Sequence, residues 1–476
     1  MKLYIKISVL VMLMMVNFTS LAQHSSESEL AKQTAKPEVP ENFRNVTKAD
    51  TTNIADIKWK SFFGETDLVK LIDEALAKNN DLQIAEKNIA IANLQFKQTK
   101  WGNAPQVNAY ANATTTRLSD NSLNGISTNL FLGKSHIEDY SAGLNLSWEA
   151  DIWGKIRNRK KAAQAAYMQT AEAKKALQTT IVASVSNGFY DLLMLDAQLA
   201  IAKKTLELND STLFAVNLQY EAGNINLLGK QQTEAQRLIA AQLVPELEKN
   251  IQLQENALSV LSGTFPEAKA RASKLEAIEV RENLSAGIPS QLLSKRPDVK
   301  SAELALKAAN AKVGITKASL YPSLNITAVG GVNSFESSNW FNIPASLFGS
   351  VAGGLTAPLL NGKKLKTQYE VAKLERDQAV IQFRQTVLAA VGEVSSALVK
   401  IDKQTQQYTI VTERVTTLQK AVENANLLFK SGMATYLEVN IAQGNLLQAE
   451  LELASIKKER LAANVELYRA LGGGWE

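Results

Sequence analysis

The sequence predicts a mainly helical chain with a small membrane-type β component, built as an internal duplication. Three observations carry this: two proline-free runs of about 68 residues with one glycine each, four short segments with period-two alternation, and strings that recur in order in both halves. Repeats are sought first because they dictate the architecture.

The duplication has a definite register. Lys78-Asn79-Asn80-Asp81 through Trp101 and Pro105 lines up with Lys295-Arg296-Pro297-Asp298 through Tyr321-Pro322-Ser323 at an offset of 217. Gly154-Lys155 matches Gly362-Lys363 at 208, and Tyr220-Glu221-Ala222-Gly223 matches Phe429-Lys430-Ser431-Gly432 at 209. Leu261-Ser262-Gly263 is answered by Leu471-Gly472-Gly473. The drift of about nine between Pro105 and Gly154 marks one loop insertion, the rest staying in register.

From Lys155 to Ala222, and again from Lys363 to Ser431, there is no proline and one glycine each, Gly188 and Gly392. Both runs are rich in Ala, Gln, Glu, Lys and Leu, which favour helix. As single helices they would extend roughly 100 Å, a length that suits a coiled-coil or tubular assembly. Each ends at a short break, Gly223 or Gly432, before a helix returning to Leu261 or Leu471. Pro245 is expected to interrupt and bend the first return helix.

Segments Pro105–Thr116, Tyr140–Ile152, Pro322–Ser334 and Leu347–Leu360 are poor in charge. In them Leu324, Ile326, Ala328 and Val332, and likewise Ala142, Leu144, Leu146 and Trp148, alternate with small or polar residues. That is the strand signal of a membrane barrel. The connections, around Asn121–Ile137 and Phe335–Ser346, read as loops, and Tyr110, Tyr140, Trp148, Trp153 and Trp340 as interfacial aromatics. Four strands cannot close a barrel, and an open edge does not survive in lipid. Several chains must therefore share one: two give eight strands, three give twelve.

Composition sets the compartment. Lys2 and Lys6, an apolar run from Ile7 to Val16, and Ser20-Leu21-Ala22 before Gln23 read as a signal peptide over 1–22. The absence of cysteine rules out disulfides and an acyl-cysteine anchor, and fits a bacterial envelope. A net charge of +5 over 476 residues, with basic and acidic residues interspersed, gives no nucleic-acid surface.

Gly287-Ile288-Pro289-Ser290-Gln291-Leu292-Leu293-Ser294-Lys295-Arg296-Pro297-Asp298-Val299, followed by Ala302-Glu303, Val313-Gly314 and Tyr321-Pro322-Ser323, resembles the outer-membrane efflux family of TolC-like ducts. The similarity is to the branch that serves resistance-nodulation-division pumps. Trp148-Glu149-Ala150-Asp151-Ile152-Trp153-Gly154-Lys155-Ile156-Arg157 is similar to that family's approach to the first long helix. The likeness runs from about Trp59 to Trp475.

The resemblance implies a homotrimeric duct in the outer membrane, with a shared 12-stranded β-barrel and a 12-helix α-barrel projecting into the periplasm. Transport through it is passive, and its partners are a periplasmic adaptor (membrane fusion protein) and an inner-membrane pump. The adaptor-contacting tips are then Tyr220, Gly223 and Asn224 on one hairpin and Phe429, Gly432 and Met433 on the other. Candidates for a periplasmic gate are Asp210, Glu423 and Asn426; the chain departs from the family in lacking an aspartate pair just before Gly432. It departs again at Gln23, where relatives often carry a lipidated cysteine.

Arg296, Pro297, Asp298, Pro322, Gly154 and Gly362 read as fold junctions rather than ligands. Proline at a first helical position and an acid beside it suit the helix start; glycine permits the sharp return from strand to helix. The expected division is 1–22 signal peptide, 23–66 lead-in, 67–263 first repeat with its β-hairpin at 105–153, 264–288 linker, and 289–476 second repeat with its hairpin at 322–361.

Two histidines, no cysteine and no glycine-rich phosphate loop leave no catalytic site, no resident metal and no cofactor to assign. The rival reading is a soluble periplasmic coiled-coil adaptor or scaffold, which would share the helical hairpins but leave the four alternating segments unexplained. The cargo is not legible.

Overall fold

A computed structural model describes residues 39–44, 53–282 and 284–476. The signal peptide at 1–22 and most of the lead-in lie outside the described residues. The chain divides into two compact units, one comprising residues up to 86, 172–302 and 380–476, the other 87–171 and 303–379.

In chain order the main elements are α1 (Thr66–Lys78), α2 (Asn80–Lys100), β1 (Gln106–Arg117), α3 (Leu123–Leu132), β2 (His136–Ala150), α4 (Lys155–Glu221) and α5 (Leu227–Leu261). The second half gives α6 (Pro297–Ala318), β3 (Ser323–Ser334), β4 (Leu347–Thr356), α7 (Lys364–Lys430) and α8 (Tyr436–Ala470). α4 and α7 are each 67 residues and α5 and α8 each 35, so the long hairpins repeat at a constant offset of 209. Pro245 does not interrupt α5, which continues through it as one helix. A proline removes one donor from a helix, and packing along α5 keeps the remaining turns in place.

The unit holding the strands is organised by register. The four strands form one antiparallel sheet in the order β1-β2-β3-β4. Its pairing places Val107, Leu146, Ala328 and Val351 in one row and Ala109, Leu144, Gly330 and Gly349 in the next. On the same face Trp148, Ile326 and Gly353 form a third row. The opposite face carries the rows Gln106-Ser147-Thr327-Ala352 and Asn108-Asn145-Val329-Ser350. One face is thus apolar across every strand and the other predominantly polar, as period two requires once the register is set. Strands of 10 to 15 residues are long enough to cross a bilayer when tilted.

Two readings of this region change. The Asn121–Ile137 connection is not simply a loop: it contains α3, capped by the Ser122 hydroxyl accepting from the Gly125 amide at 3.0 Å and closed by Gly133 at φ 62°. Tyr110 is not a boundary aromatic, because it pairs with Gly143 in mid-strand on the polar face. The other aromatics cluster at the sheet's ends: Tyr140 lies 5.7 Å from Trp340 at one, and Trp153 stacks on Tyr321 at 4.7 Å at the other.

The other unit owes its core to the middle of α4, the end of α8 and the segment before α1. Phe62 stacks on Tyr468 at 4.1 Å, and the Tyr468 hydroxyl donates to the Ile57 carbonyl at 2.5 Å. Phe189, Leu192, Leu193, Leu68, Ile72 and Leu467 are fully buried around this pair. Ala390, Val394 and Ala397 make the α7 stripe that closes the same core. Among the described residues no helix is long and apolar enough to cross a membrane.

Candidate functional site: hairpin tips and helix junctions

The tips are two copies of one stop signal. At the end of α4, Gly223 (φ 75°) donates to the Tyr220 carbonyl at 3.0 Å and Asn224 to the Gln219 carbonyl at 2.8 Å. At the end of α7, Gly432 (φ 76°) donates to Phe429 at 3.1 Å and Met433 to Leu428 at 2.9 Å. Both are Schellman turns, which satisfy the last helical carbonyls and need a left-handed residue. A Cβ on either glycine would meet nothing within 4 Å, so dihedral angle rather than space demands glycine.

The return helices start differently. Asn226 caps α5 by accepting from the Gly229 amide at 3.0 Å. Thr435 caps α8 in a capping box whose return bond runs from the Thr435 amide to Glu438 at 3.0 Å. That box is readable as Thr-x-x-Glu, a signal the reading above missed. Hydrogen bonding to Thr435 holds the Glu438 carboxyl below its ordinary range.

The two tips touch. Val216, Ala425, Phe429 and Val439 form a small buried cluster, and the Tyr436 hydroxyl donates to Gln232 at 2.9 Å. Gly229 is needed for space here, since a Cβ would come within 2.7 Å of the Tyr436 ring. The aligned pair Tyr220 and Phe429 have diverged: Phe429 is core, while Tyr220 lies half-buried under the Lys230 ammonium at 5.3 Å. Leu218, Leu228, Leu427 and Met433 are exposed around the turns.

Of the gate candidates, Asp210 is ion-paired across the first hairpin with Arg237 at 2.5 Å. Glu423 is exposed and Asn426 half-buried on α7. The structure brings Asn426 to the neighbourhood of Phe429 on one helix; it does not bring Asp210 into contact with Glu423.

At the start of α6, Pro297 is the first helical residue and Arg296 is 5% exposed. The Arg296 guanidinium forks onto Asp298 at 3.0 and 2.6 Å and donates to Glu393 and to the Ala470 carbonyl, each at 2.9 Å. Asp298 in turn accepts from the Val299 amide at 2.9 Å. Burial pushes the Asp298 carboxyl up, but the Arg296 hydrogen bonds and charge outweigh it and hold it below its usual range.

The first repeat builds the same junction around a residue that sequence reading aligned without assigning a role. Asn79 donates to the Leu261 carbonyl at 2.8 Å and accepts from the Leu82 amide at 3.1 Å. Behind each junction stands a glycine whose Cβ would strike backbone: Gly263 against Lys78 O at 2.3 Å, Gly472 against Lys295 O at 2.7 Å. The closing glycines therefore correspond at 209, one residue away from the Leu261/Leu471 match.

The strand-to-helix returns shift likewise. Gly154 (φ 75°) occupies the residue before α4; the residue before α7 is Lys363, at φ 63°, with Gly362 (φ 60°) preceding it. The structural counterpart of Gly154 is thus Lys363, a lysine in a conformation that usually favours glycine. Pro322 closes the third junction, its carbonyl accepting from the Trp153 indole at 2.7 Å. No group of three or more acidic, histidine or cysteine side chains that could hold a metal occurs among the described residues.

These features, two Schellman-tipped helical hairpins and a two-faced sheet, define an outer-membrane duct protein. The chain belongs to the outer membrane efflux protein family, whose model matches residues 71–264 and 288–473. It is 29% identical over 444 residues to the probable outer membrane lipoprotein SilC of Salmonella typhimurium, covering 92% of this chain and 93% of that protein. Against the cation efflux system protein CusC of Escherichia coli it is 28% identical over 446 residues, with coverage of 92% and 93%. A crystal structure of CusC superposes with a TM-score of 0.80 at 27% identity, covering 92% of this chain and 97% of that one. The open state of the Neisseria gonorrhoeae MtrE outer membrane channel gives 0.82 at 26% identity, covering 93% and 97%. The family is one of outer-membrane channels and not of enzymes.

Proposed function

We propose that this protein is the outer-membrane channel of a tripartite efflux system, exporting small toxic compounds passively once docked to a periplasmic adaptor and an inner-membrane pump of the resistance-nodulation-division class. The observation that carries the reading is the family match across both repeats, joined to a sheet with one apolar and one polar face. The adaptor-like scaffold reading leaves that sheet without a purpose.

We read the assembly as a homotrimer. The sheet leaves β1 and β4 with open edges, and an edge in lipid must be paired; three chains give a twelve-stranded barrel. The polar rows then line the lumen and the apolar rows meet outer-membrane lipid. The two repeats, 67–263 and 289–476, each supply one β-hairpin and one long helical hairpin. The exposed apolar residues beside Gly223 and Gly432 suit the adaptor contact, and Glu423 and Asn426 remain candidates for the gate. Asp210, being paired with Arg237, would act there only after that pair opened.

The cargo belongs to the pump. CusC is named for cations, while relatives at 29% identity from Pseudomonas putida are named for solvent and toluene efflux. A duct with few histidines and methionines, which need not coordinate its cargo, is compatible with either. Deleting the chain is expected to raise sensitivity to at least one pump substrate. Gly223→Pro should reproduce that loss with the protein still in the outer membrane. Unchanged export in both strains, with no second duct present, would overturn the reading.

A further inference from the structure

Charge is distributed very unevenly between the two ends of the sheet. At the end bearing α3, residues 117–139 and 334–347 hold two basic residues (Arg117, Lys134) against four acidic ones. At the helix-bearing end, residues 149–161 and 357–366 hold eight basic residues against two acidic ones, Glu149 and Asp151.

Both of those carboxylates are already engaged. Glu149 pairs with Lys155 at 2.8 Å. Asp151 accepts from the Ile156 and Arg157 amides, each at 2.9 Å, and lies 3.5 Å from the Arg157 guanidinium. Six cations are left: Arg159, Lys160, Lys161, Lys363, Lys364 and Lys366. All six are exposed, and none has an ion-pair partner among the described residues.

Their placement disfavours them internally. Arg159, Lys160 and Lys161 form the second turn of α4, and Lys363, Lys364 and Lys366 lie at the start of α7, whose first turn contains no acidic residue. That is the positive end of a helix, where a cation is repelled and an anion attracted. At α4 the Asp151 carboxylate already holds the first amides, so an external anion would serve the unpaired side chains of both helices and the helix end of α7 alone.

The surroundings say which kind of anion. Leu359 and Leu360, 89% and 99% exposed, stand just before Asn361-Gly362 and the lysines on one connection. On the other, Trp153 stacks on Tyr321. A cleft of about 310 Å³ brings the two connections together, its walls including Trp153, Lys155, Arg159 and Pro358 along with the two engaged carboxylates, Glu149 and Asp151. Exposed leucines, stacked aromatics and a cationic cluster together at one end of the sheet are the side-chain types that meet acyl chains, the interface and headgroups.

We propose that this belt binds the headgroups of anionic phospholipids in the periplasmic leaflet, with Arg159 and Lys363, Lys364 and Lys366 as its principal cations. The inference rests on the membrane reading of the sheet and goes beyond it by naming the lipid class. Basic residues beside a bilayer are attracted to anionic lipid surfaces in this way.

The test uses the whole protein extracted from outer membranes in mild detergent, delipidated, and offered equal amounts of phosphatidylglycerol and phosphatidylethanolamine. Bound lipids are counted by native mass spectrometry. The wild type should retain phosphatidylglycerol in preference. The Lys363→Gln/Lys364→Gln/Lys366→Gln and Arg159→Gln/Lys160→Gln/Lys161→Gln variants should each lose that preference by about fivefold or more. An all-arginine version of the first triple should keep it. Wild-type indifference between the lipids, or variants as selective as wild type, overturns the proposal. Variants that keep the lipid preference but lose adaptor capture overturn it too, and assign the belt to a protein. Failure of the membrane reading would be seen earlier and separately, as protein missing from the outer-membrane fraction.

Discussion

The junctions at Asn79 and Arg296 perform the same task with different chemistry. Each residue precedes a short helix and donates to the last carbonyl region of its own repeat's return helix, Leu261 in one case and Ala470 in the other. Asn79 does this alone and caps the Leu82 amide with its own oxygen. Arg296 cannot accept, so the capping task passes to Asp298, and the guanidinium gains Glu393 on α7 as a further anchor. Arg469 reaches the same Glu393 oxygen at 3.3 Å. The two copies thus share the geometry, one as a partly buried ionic network and the other as a neutral contact.

The largest way to break the comparison is Arg296→Ala. Removing the cation leaves Asp298 without its partner and Glu393 with Arg469 alone, and, discounted for the partial exposure of both carboxylates, should cost about 2–3 kcal/mol. Asn79→Ala removes one neutral donor and one cap and should cost about 1–2 kcal/mol. Denaturant unfolding of the extracted protein measures both, and equal losses would refute the asymmetry.

Next come the glycines behind the junctions. Gly263→Ala and Gly472→Ala each force a left-handed alanine, about 1–2 kcal/mol, and press a methyl onto backbone. Gly263 should suffer more, its contact being 2.3 Å against 2.7 Å. The reverse order in melting temperature would contradict this.

A smaller effect separates the strand-to-helix returns. Lys363→Gly should raise stability by about 1 kcal/mol, and Gly154→Ala should lower it by a similar amount. Thermal melts of the two single variants decide the matter; a destabilised Lys363→Gly would mean the lysine side chain outweighs its backbone strain.

The smallest is a pH effect. The folded Asp298 carboxyl is held below its ordinary value of 3.8, so its contribution is present above the unfolded pKa and lost as pH falls through the folded one. Amide exchange at 298–301 should therefore accelerate below about pH 4 relative to 81–84. Parallel acceleration at both junctions would argue against a charged network at Arg296.

Much of this was legible beforehand, and the misses have physical causes. The long helices and four strands were visible because long proline-free, glycine-poor runs and period-two alternation are strong local signals. The register between repeats slipped by one at Gly362 and at Leu471 because sequence matching follows residue identity, whereas the fold follows dihedral angle. Lys363 adopts the left-handed conformation that a glycine would normally announce. α3 was hidden inside a polar connection, its cap and Gly133 stop being local signals that a loop also uses. Asn79 gave no sign of its role, since its partner Leu261 is 182 residues away and contributes only a carbonyl.

The most direct test of the account is the mass and location of the protein after outer-membrane fractionation and mild detergent extraction. The account predicts an outer-membrane particle with the mass of three chains. A monomer in the soluble periplasmic fraction would contradict it, leaving the sheet's open edges and its apolar face without an explanation.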